Sequence, residues 1–576
     1  MNYITNMAVY IVNNSNDWNI IPNANGIYLV NNDFSLQSNT PTITSTFVIG
    51  VTNDTTTSPV LAVDDRYTYY IPPNVNFPIG YFVKGTNSAS VNGYKCKERT
   101  IKFTNPVFNL IISSVIGFFK FITCSDISTT LYGGILATNV DFNSLITNVK
   151  LECSHNISIN LNLPTGCFIG MNSGIINLSS MYIKNGSINV NSTINSNPDL
   201  ITNCSGGFIG ASNFGIMTDC ASVITNCKLV YIASGVFGIS GGFIGFNQNV
   251  YTQNCKSTLS NNEVINIISQ GQSGGFNGIT QNGTLTTNCE SFLQNNGIIN
   301  IISTTNSGGF IGNNAIYLTN STSIIKNNKI VNINSNASGG FIGANLFSIV
   351  ADCKLIIESN DTTNIVSEGT PTINSSAGGF IGSNQNTITD CELLIKNNNK
   401  ININSNVTGC KCGGFMGLHN RDVIANSKLT MTNNKQISIF TENGYNGGLV
   451  GYINNGQGTV ASVTNSESVY SCNELINLGQ NNQNGFTAGL CPNNAGIIYN
   501  TPSKFSTNKI VTINGGNTDP YVINNNNIPV YNASYTFRDN MKVTINGTII
   551  NATTDECAYA EKRHNDCCDK TYIRFL

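Results

Sequence analysis

The chain has 576 residues, 40% of them hydrophobic, so it can build a large core. Only 10% are charged, against about 25% in an ordinary soluble domain, and 28 basic residues nearly balance 30 acidic ones for a net charge of −2. With no basic stripe to attract phosphates or anionic lipid, nucleic acid and charged membrane surfaces are excluded as electrostatic partners.

The first residues lack the charged start and apolar run of a secretory signal, so no export signal is expected. Up to about residue 125 there is no clear repeat. Short strands are expected around Asp17–Ile21, Asn25–Phe34 and Thr46–Gly50, with Asn and Gly turns between them. Tyr67 to Val83 is aromatic and broken by Pro72, Pro73 and Pro78, as in a loop packed against a first coil. Arg99–Phe103 reads as a strand. The apolar stretch Val107–Ile122 is too short and too interrupted for a membrane span, and reads as two buried strands with a turn at Gly117. Gly133-Gly134-Ile135-Leu136 is an imperfect first unit.

From there the chain repeats itself. The element Ser338-Gly339-Gly340-Phe341-Ile342-Gly343 has near-copies opening at Gly166, Gly206, Gly241, Gly274, Gly308, Gly378, Gly413 and Gly447, with a degraded one at Ala488. The intervals run from 31 residues (Gly308 to Gly339) to 41 (Gly447 to Ala488), a period that signals a solenoid. Each unit has three parts: a segment like Ile388-Thr-Asp-Cys-Glu-Leu-Leu-Ile-Lys396, a segment like Ile401-Asn-Ile403, and the glycine element itself. All three alternate apolar with polar or small residues and are rich in β-branched side chains, so each is a strand with one face inward. Three strands joined by Asn/Gly/Ser turns make a coil of about 35 residues, and about ten such coils stack at ~4.8 Å into a rod.

The structural repeat residues are Gly206, Gly207, Phe208, Gly241, Gly242, Phe243, Gly308, Gly309, Phe310, Gly339, Gly340, Phe341, Gly378, Gly379, Phe380, Gly413, Gly414 and Phe415. The phenylalanines are expected in one interior column. The glycines answer a need for positive φ or close backbone approach. Interior asparagines are expected to form amide ladders. A small-residue column is read at Cys227, Cys255, Cys289, Cys353 and Cys391, exchanging with Ser321, Ser427 and Ser466 and holding free thiols, with disulfides between neighbouring coils as the alternative. The variable segments 368–376 and 407–412 are expected to project as loops, the second carrying Cys410 and Cys412.

Residues 501–550 remain β in character, ending in Met541–Ile550. Thr553 with Glu556 offers a capping box for a short helix over Asp555–His564. Cys557, His564, Cys567 and Cys568 form a tail cluster that free thiols, a disulfide or a metal site would each explain. The organisation is thus a β-rich N-terminal cap (1–125), a repeat region (126–500) and a C-terminal β cap with a short helix and a Cys-rich tail (501–576).

Gly447-Gly-Leu-Val-Gly-Tyr-Ile-Asn-Asn-Gly-Gln-Gly-Thr-Val460, followed by Thr464-Asn-Ser466, resembles the GLUG repeat of bacterial surface and adhesin-type proteins. The resemblance covers roughly 130–495. It implies an all-β, right-handed parallel β-helix like that of the pectin-lyase superfamily, and it brings no catalytic residues with it.

Polysaccharide hydrolases and lyases on this architecture need clustered carboxylates or a carboxylate-bound metal. Here Asp219, Asp352 and Asp390 share a slot with Asn203, Asn226, Asn254 and Asn288, as turn residues would. Asp64-Asp65-Arg66 is the only acidic doublet beside a base. Of the three histidines, His419 is expected at an exposed turn. The sequence therefore reads as a non-enzymatic structural or surface protein, without cofactor or metal, assembled in a host cytoplasm as a capsid-associated or fibre component of a virion. The alternatives are an adhesin or carbohydrate-binding protein at a cell surface or outside the cell, and a polysaccharide hydrolase or lyase. Expected partners are other structural proteins, copies of itself and glycans, with no nucleic acid and no membrane span.

Overall fold

The computed structural model describes residues 8–19, 26–36, 47–52, 59–63, 82–84, 90–91, 94–95, 98–103, 114–140, 144–193, 203–248, 250–281, 285–346, 348–368, 375–454, 460–479, 485–492, 495–515, 517–519, 530–531, 533–550, 556–561 and 572–575. Two compact units divide the chain, Met1–Asn262 and Glu263–Leu576. Each is built as a right-handed parallel β-helix with almost no α-helix.

One turn of the second unit shows the plan. Its five short strands are Ile330–Ser335, Ala337–Gly339, Ile342–Asn345, Val350–Ala351 and Lys354–Glu358. Thr362–Ser367 then opens the next turn and lies parallel to Ile330–Ser335, with Asn332 opposite Asn364 and Ile333 opposite Ile365. Three strands per turn were expected, and two of them are split. The Gly340-Phe341 step bends the glycine element between its second and third strands. The left-handed Asp352 (φ 53°) divides the cysteine segment into its fourth and fifth. Both breaks occur where the backbone must turn a corner, which alternation alone does not mark.

In the second unit turns open at Val264, Ile298, Ile330, Thr362, Lys400 and Gln436. Two more open at Leu475 and Ile510, without a third strand among the described residues. In the first unit turns open at Ile127, Ile157, Ser187 and Leu229. Inward positions carry the core. Phe168, Phe208 and Phe243 stack at 4.6 and 4.9 Å in the first unit. Phe276, Phe310, Phe341, Phe380 and Phe415 stack at 4.8 to 4.9 Å in the second. This spacing is the interstrand distance, so each ring lies flat on its neighbour and no gap opens between turns.

Several expectations are corrected. Residues 15–19 form a short helix rather than a strand, because the Asn14 side chain caps the backbone N–H groups of Asn16 and Asp17 at 2.8 and 3.1 Å. Ser114–Thr123 is one strand of ten residues, and Gly117 falls at a register shift within it, not at a turn. This strand pairs in parallel with Arg99–Phe103 and with Leu145–Cys153, so the N-terminal strands extend the same sheet. Parallel pairing also continues past residue 500. Ser503–Ser506 pairs with Ala533–Arg538, and Ile510–Ile513 with Lys542–Ile545, although the glycine signature has gone. The expected helix over Asp555–His564 is replaced at Glu556–Glu561 by a strand, antiparallel to Ala533–Arg538 and to Tyr572–Phe575. An open strand edge offers a row of backbone partners that a single isolated helix turn does not. The rest of that segment lies outside the described residues, as do His564, Cys567 and Cys568, the side chain of Cys557, the Asp64-Asp65-Arg66 triplet and the Tyr67–Tyr81 stretch.

Candidate interaction face

The repeat residues are structural in a strict sense. A Cβ on Gly207 would collide with the carbonyl oxygen of Gly242; on Gly309 with that of Gly340, on Gly340 with that of Gly379, and on Gly379 with that of Gly414. Close approach between turns, not left-handed φ, is what these glycines serve. At the corner within the cysteine segment the left-handed position goes mostly to Asn and Asp: Asp219 and Asn254 in one unit, where Leu178 also takes it, and Asn288, Asn320, Asp352, Asp390, Asn426 and Asn465 in the other, with φ between 47° and 54°. The repeat aspartates are therefore corner residues.

The residue after each corner is buried and donates to the carbonyl two positions back. Cys220 Sγ reaches Thr218 O at 3.3 Å and Cys255 Sγ reaches Gln253 O at 3.3 Å. In the second unit Cys289, Ser321, Cys353, Cys391, Ser427, Ser466 and Thr501 make the same bond at 2.9 to 3.4 Å. Cysteine, serine and threonine interchange because each is a small donor for that carbonyl. Cys220, Cys353 and Cys391 are free thiols, and burial pushes those of Cys220 and Cys353 well up. Cys227 does not belong to this file; Cys220 takes its place. Cys227 stands at a second corner, where its N–H donates to Asn262 Oδ1 at 2.9 Å.

That second corner holds an interior asparagine ladder. In the second unit Asn296, Asn328, Asn360, Asn398, Asn434, Asn473 and Asn508 each donate their backbone N–H to the Oδ1 of the next, ending on Asn540, at 2.9 to 3.0 Å. Each Nδ2 from Asn328 onward also bonds a carbonyl of the turn before, as Asn398 Nδ2 does to Ile357 O at 3.1 Å. Another buried chain runs from Thr280 through Asn314, Asn345 and Asn384 to His419. His419 is fully buried at 0% exposure, not at an exposed turn, because its strand position is the asparagine slot. Asn384 Nδ2 can only donate to Nδ1 (3.1 Å) and Ser462 O can only accept from Nε2 (3.2 Å), so the ring is the neutral Nε2–H tautomer. Burial lowers its pKa from 6.5 to about 4 against the opposing pull of the Ser462 and Asp422 backbone. Cys412 is likewise buried within the second strand of a turn, Lys411–Gly413, and Cys410 is buried just before it, where the short turn 406–409 ends, so neither thiol is displayed. Burial raises Cys410, but hydrogen bonds from Cys412, Ser405 and Ser367 and the charge of Lys411 outweigh it and bring the thiol down to about 7.

With interior groups committed to stacking, the surfaces left for other molecules are the outward positions of the strands. On the first strand Asn266, Asn300, Asn332, Asn364 and Asn402 form a half-buried ladder at 2.7 to 2.8 Å. The fifth strand carries a half-buried apolar file, Phe292, Ile324, Ile356 and Leu394, continued by Thr430 and Val469 in register. Charges flank it. Lys354 pairs with Glu392 at 2.7 Å, Glu358 sits between Lys326 and Lys396 at 3.1 and 3.2 Å, and Glu467 between Lys428 and Lys504 at 2.8 and 3.2 Å. Exposed tyrosines mark the fourth strand at Tyr251 in the first unit and at Tyr317 and Tyr499 in the second. Among the described residues no group of three or more His, Cys, Asp or Glu could hold a metal ion, and no helix is long and apolar enough to cross a membrane.

The fifth-strand face was not anticipated in the sequence. In Lys354-Leu-Ile-Ile-Glu358 and Glu392-Leu-Leu-Ile-Lys396 the central apolar residue points outward while its neighbours point in, an orientation the structure supplies. Comparison with protein families, with curated proteins and with solved structures finds no match for this chain.

Proposed function

We propose that this chain is a non-enzymatic structural or surface protein that serves as a capsid-associated or fibre component of a virion. The observation that carries the reading is where the repeat's polar residues go. The corner aspartates and asparagines, the Cys/Ser/Thr file and the asparagine ladder are consumed in holding one turn on the next. Such side chains build stiffness rather than a reaction centre, and other structural proteins or copies of itself are the partners such a surface suits. Mass spectrometry of purified particles tests the placement: the chain should be present in stoichiometric amount, and its absence from particles would end the virion reading.

A second reading, an adhesin or carbohydrate-binding protein, is favoured by the exposed rings of Tyr317 (56% exposed) and Tyr499 (47%). Aromatic faces give sugars an apolar platform with a polar tip nearby. A glycan array separates the two: binding lost on Tyr317→Ala would favour this reading, and a blank array would remove it.

A further inference from the structure

We propose that the fifth-strand face of the second unit is a self-association surface, on which a second copy packs side by side in parallel around a twofold axis running along the stack. The inference rests on the reading of the chain as a structural protein but not on its place in a virion.

The apolar file comes first. Ile324, Ile356 and Leu394 point outward from three consecutive turns, in register with Phe292 on one side and Thr430 on the other. Outward positions of a solvated strand are normally polar, and the central outward position of the first strand in these same turns is Asn throughout, at Asn300, Asn332, Asn364 and Asn402, even where Ile298, Ile302, Ile330 and Val366 flank it. Four consecutive apolar side chains at the central outward position are set apart from the asparagine file at the same position of the first strand.

The charges then select the partner. A twofold axis along the stack sets the first outward residue of each fifth strand against the third outward residue of the same strand in the other copy. Lys354 then faces Glu358, and Glu392 faces Lys396, each pair occurring twice. In the neighbouring turns Glu290 faces Gln294, Thr322 faces Lys326, and Lys428 faces Thr432. No turn from 290 to 432 brings like charges together, and each apolar residue of the file meets its own copy. An antiparallel arrangement also matches Lys354 with Glu467 and Glu392 with Lys428. It sets Glu358 and Lys396 against Ser471 and Thr432, however, and Leu394 against Thr430. Shifted by one turn, the antiparallel arrangement matches Lys354 with Glu392, Glu358 with Lys396 and Ile356 with Leu394, but it sets Glu290 against Glu467; of the three, parallel packing alone satisfies both flanks and the file with no like charges opposed. These charged side chains are 18% to 39% exposed and already paired within the chain, so the contact extends an existing network instead of stripping isolated ions of water.

Four turns at ~4.8 Å and a five-residue strand at ~3.3 Å per residue give a patch on the order of 300–400 Å² per partner. That is below the ~800 Å² of a stable standard interface. The dimer is accordingly weak in dilute solution and is reinforced where copies are held close together.

The test is covalent capture on the full chain. Ile356→Cys places one thiol near the axis, and a short bismaleimide should join 356 to 356 at high protein concentration, identified by peptide mapping against the parent chain with its own exposed Cys124 and Cys472 as background. Adding Ile324→Thr and Leu394→Thr, the residue the file already carries at Thr430, should lower the captured fraction by roughly tenfold or more with an unchanged circular dichroism spectrum. A chain that gives no 356-to-356 product, or that gives it equally with the threonine replacements, overturns the proposal. A link from 356 to Cys472, three residues beyond Val469, would instead replace the parallel arrangement by the antiparallel one. Absence from particles with capture intact would remove only the virion placement.

Discussion

Acidification should destabilise the second unit through one side chain, His419. The ring is neutral, accepts a hydrogen bond from Asn384 at Nδ1 and donates from Nε2 to Ser462 O. Protonation puts an N–H at Nδ1 against Asn384 Nδ2, a donor that cannot accept, while the Asn384 Oδ1 is held by Asn345, and it places a charge in a site with 0% exposure. The folded pKa is about 4 against an ordinary 6.5. The unfolded chain therefore binds the proton first as pH falls. The stabilisation is complete above about pH 6.5, declines below it, and is exhausted near pH 4. A shift of about 2.5 units corresponds to roughly 3 kcal/mol in all, with a slope of about 1.4 kcal/mol per pH unit within the window. Glu358 and Glu467, held below the ordinary carboxylate value by their lysines although burial opposes it, lose their contribution at lower pH, so the region from about 6.5 to 5 belongs to the histidine. Urea midpoints across that range, compared between the wild-type chain and His419→Asn, provide the assay. Asparagine already occupies this slot at Asn314, Asn345 and Asn384, so the variant should keep the hydrogen-bond chain and lose the pH slope. Equal slopes for the two proteins would refute the reasoning.

Asn398→Ala should cost about 3–5 kcal/mol in urea unfolding, because it leaves the amide groups of Asn360 and the carbonyl of Ile357 buried without their partner. At the corner, Asn426→Val should cost about 1–2 kcal/mol because a β-branched side chain resists φ 50°, while Asn426→Gly should stay within a few tenths. Cys353→Ser should change stability by less than about 1 kcal/mol, since Ser321 makes the same bond at 2.9 Å. In the parent chain Cys353 should resist thiol-labelling reagents until the protein unfolds.

The architecture was legible because the Gly-Gly-Phe signature names its own packing. The glycines must be glycine where two backbones meet, and the phenylalanine must be flat where rings stack. The corners were legible as turns, but not the strand splitting they impose, since Asp352 and its counterparts interrupt a segment whose alternation runs straight through them. Asn226-Cys227 and Asn254-Cys255 look alike, and only spacing separates them. Asp219 lies 35 residues before Asn254, whereas Asn226 lies 35 before Asn261. His419 was misplaced because nothing in its own neighbourhood reveals that it inherits an asparagine position; the alignment with Asn384 does. The strand at Glu556–Glu561 depends on a free edge supplied by Ala533–Arg538, which a local helix-start signal cannot register. The fifth-strand face stayed hidden for a related reason. In Lys354-Leu-Ile-Ile-Glu358 inward and outward positions are both aliphatic, so the sequence alone does not say which one faces solvent.

The asparagine ladder has a consequence for how such a chain changes in length. Asn360 and Asn398 hold equivalent places on successive turns, so cutting out residues 361–398 would join two ends already in matching geometry and leave the ladder one step shorter. Duplicating the same block would lengthen it by one. Recombination between neighbouring copies of the gene segment is thus tolerated in whole turns, whereas loss of a single codon inside a strand would swap its core face for its wet face.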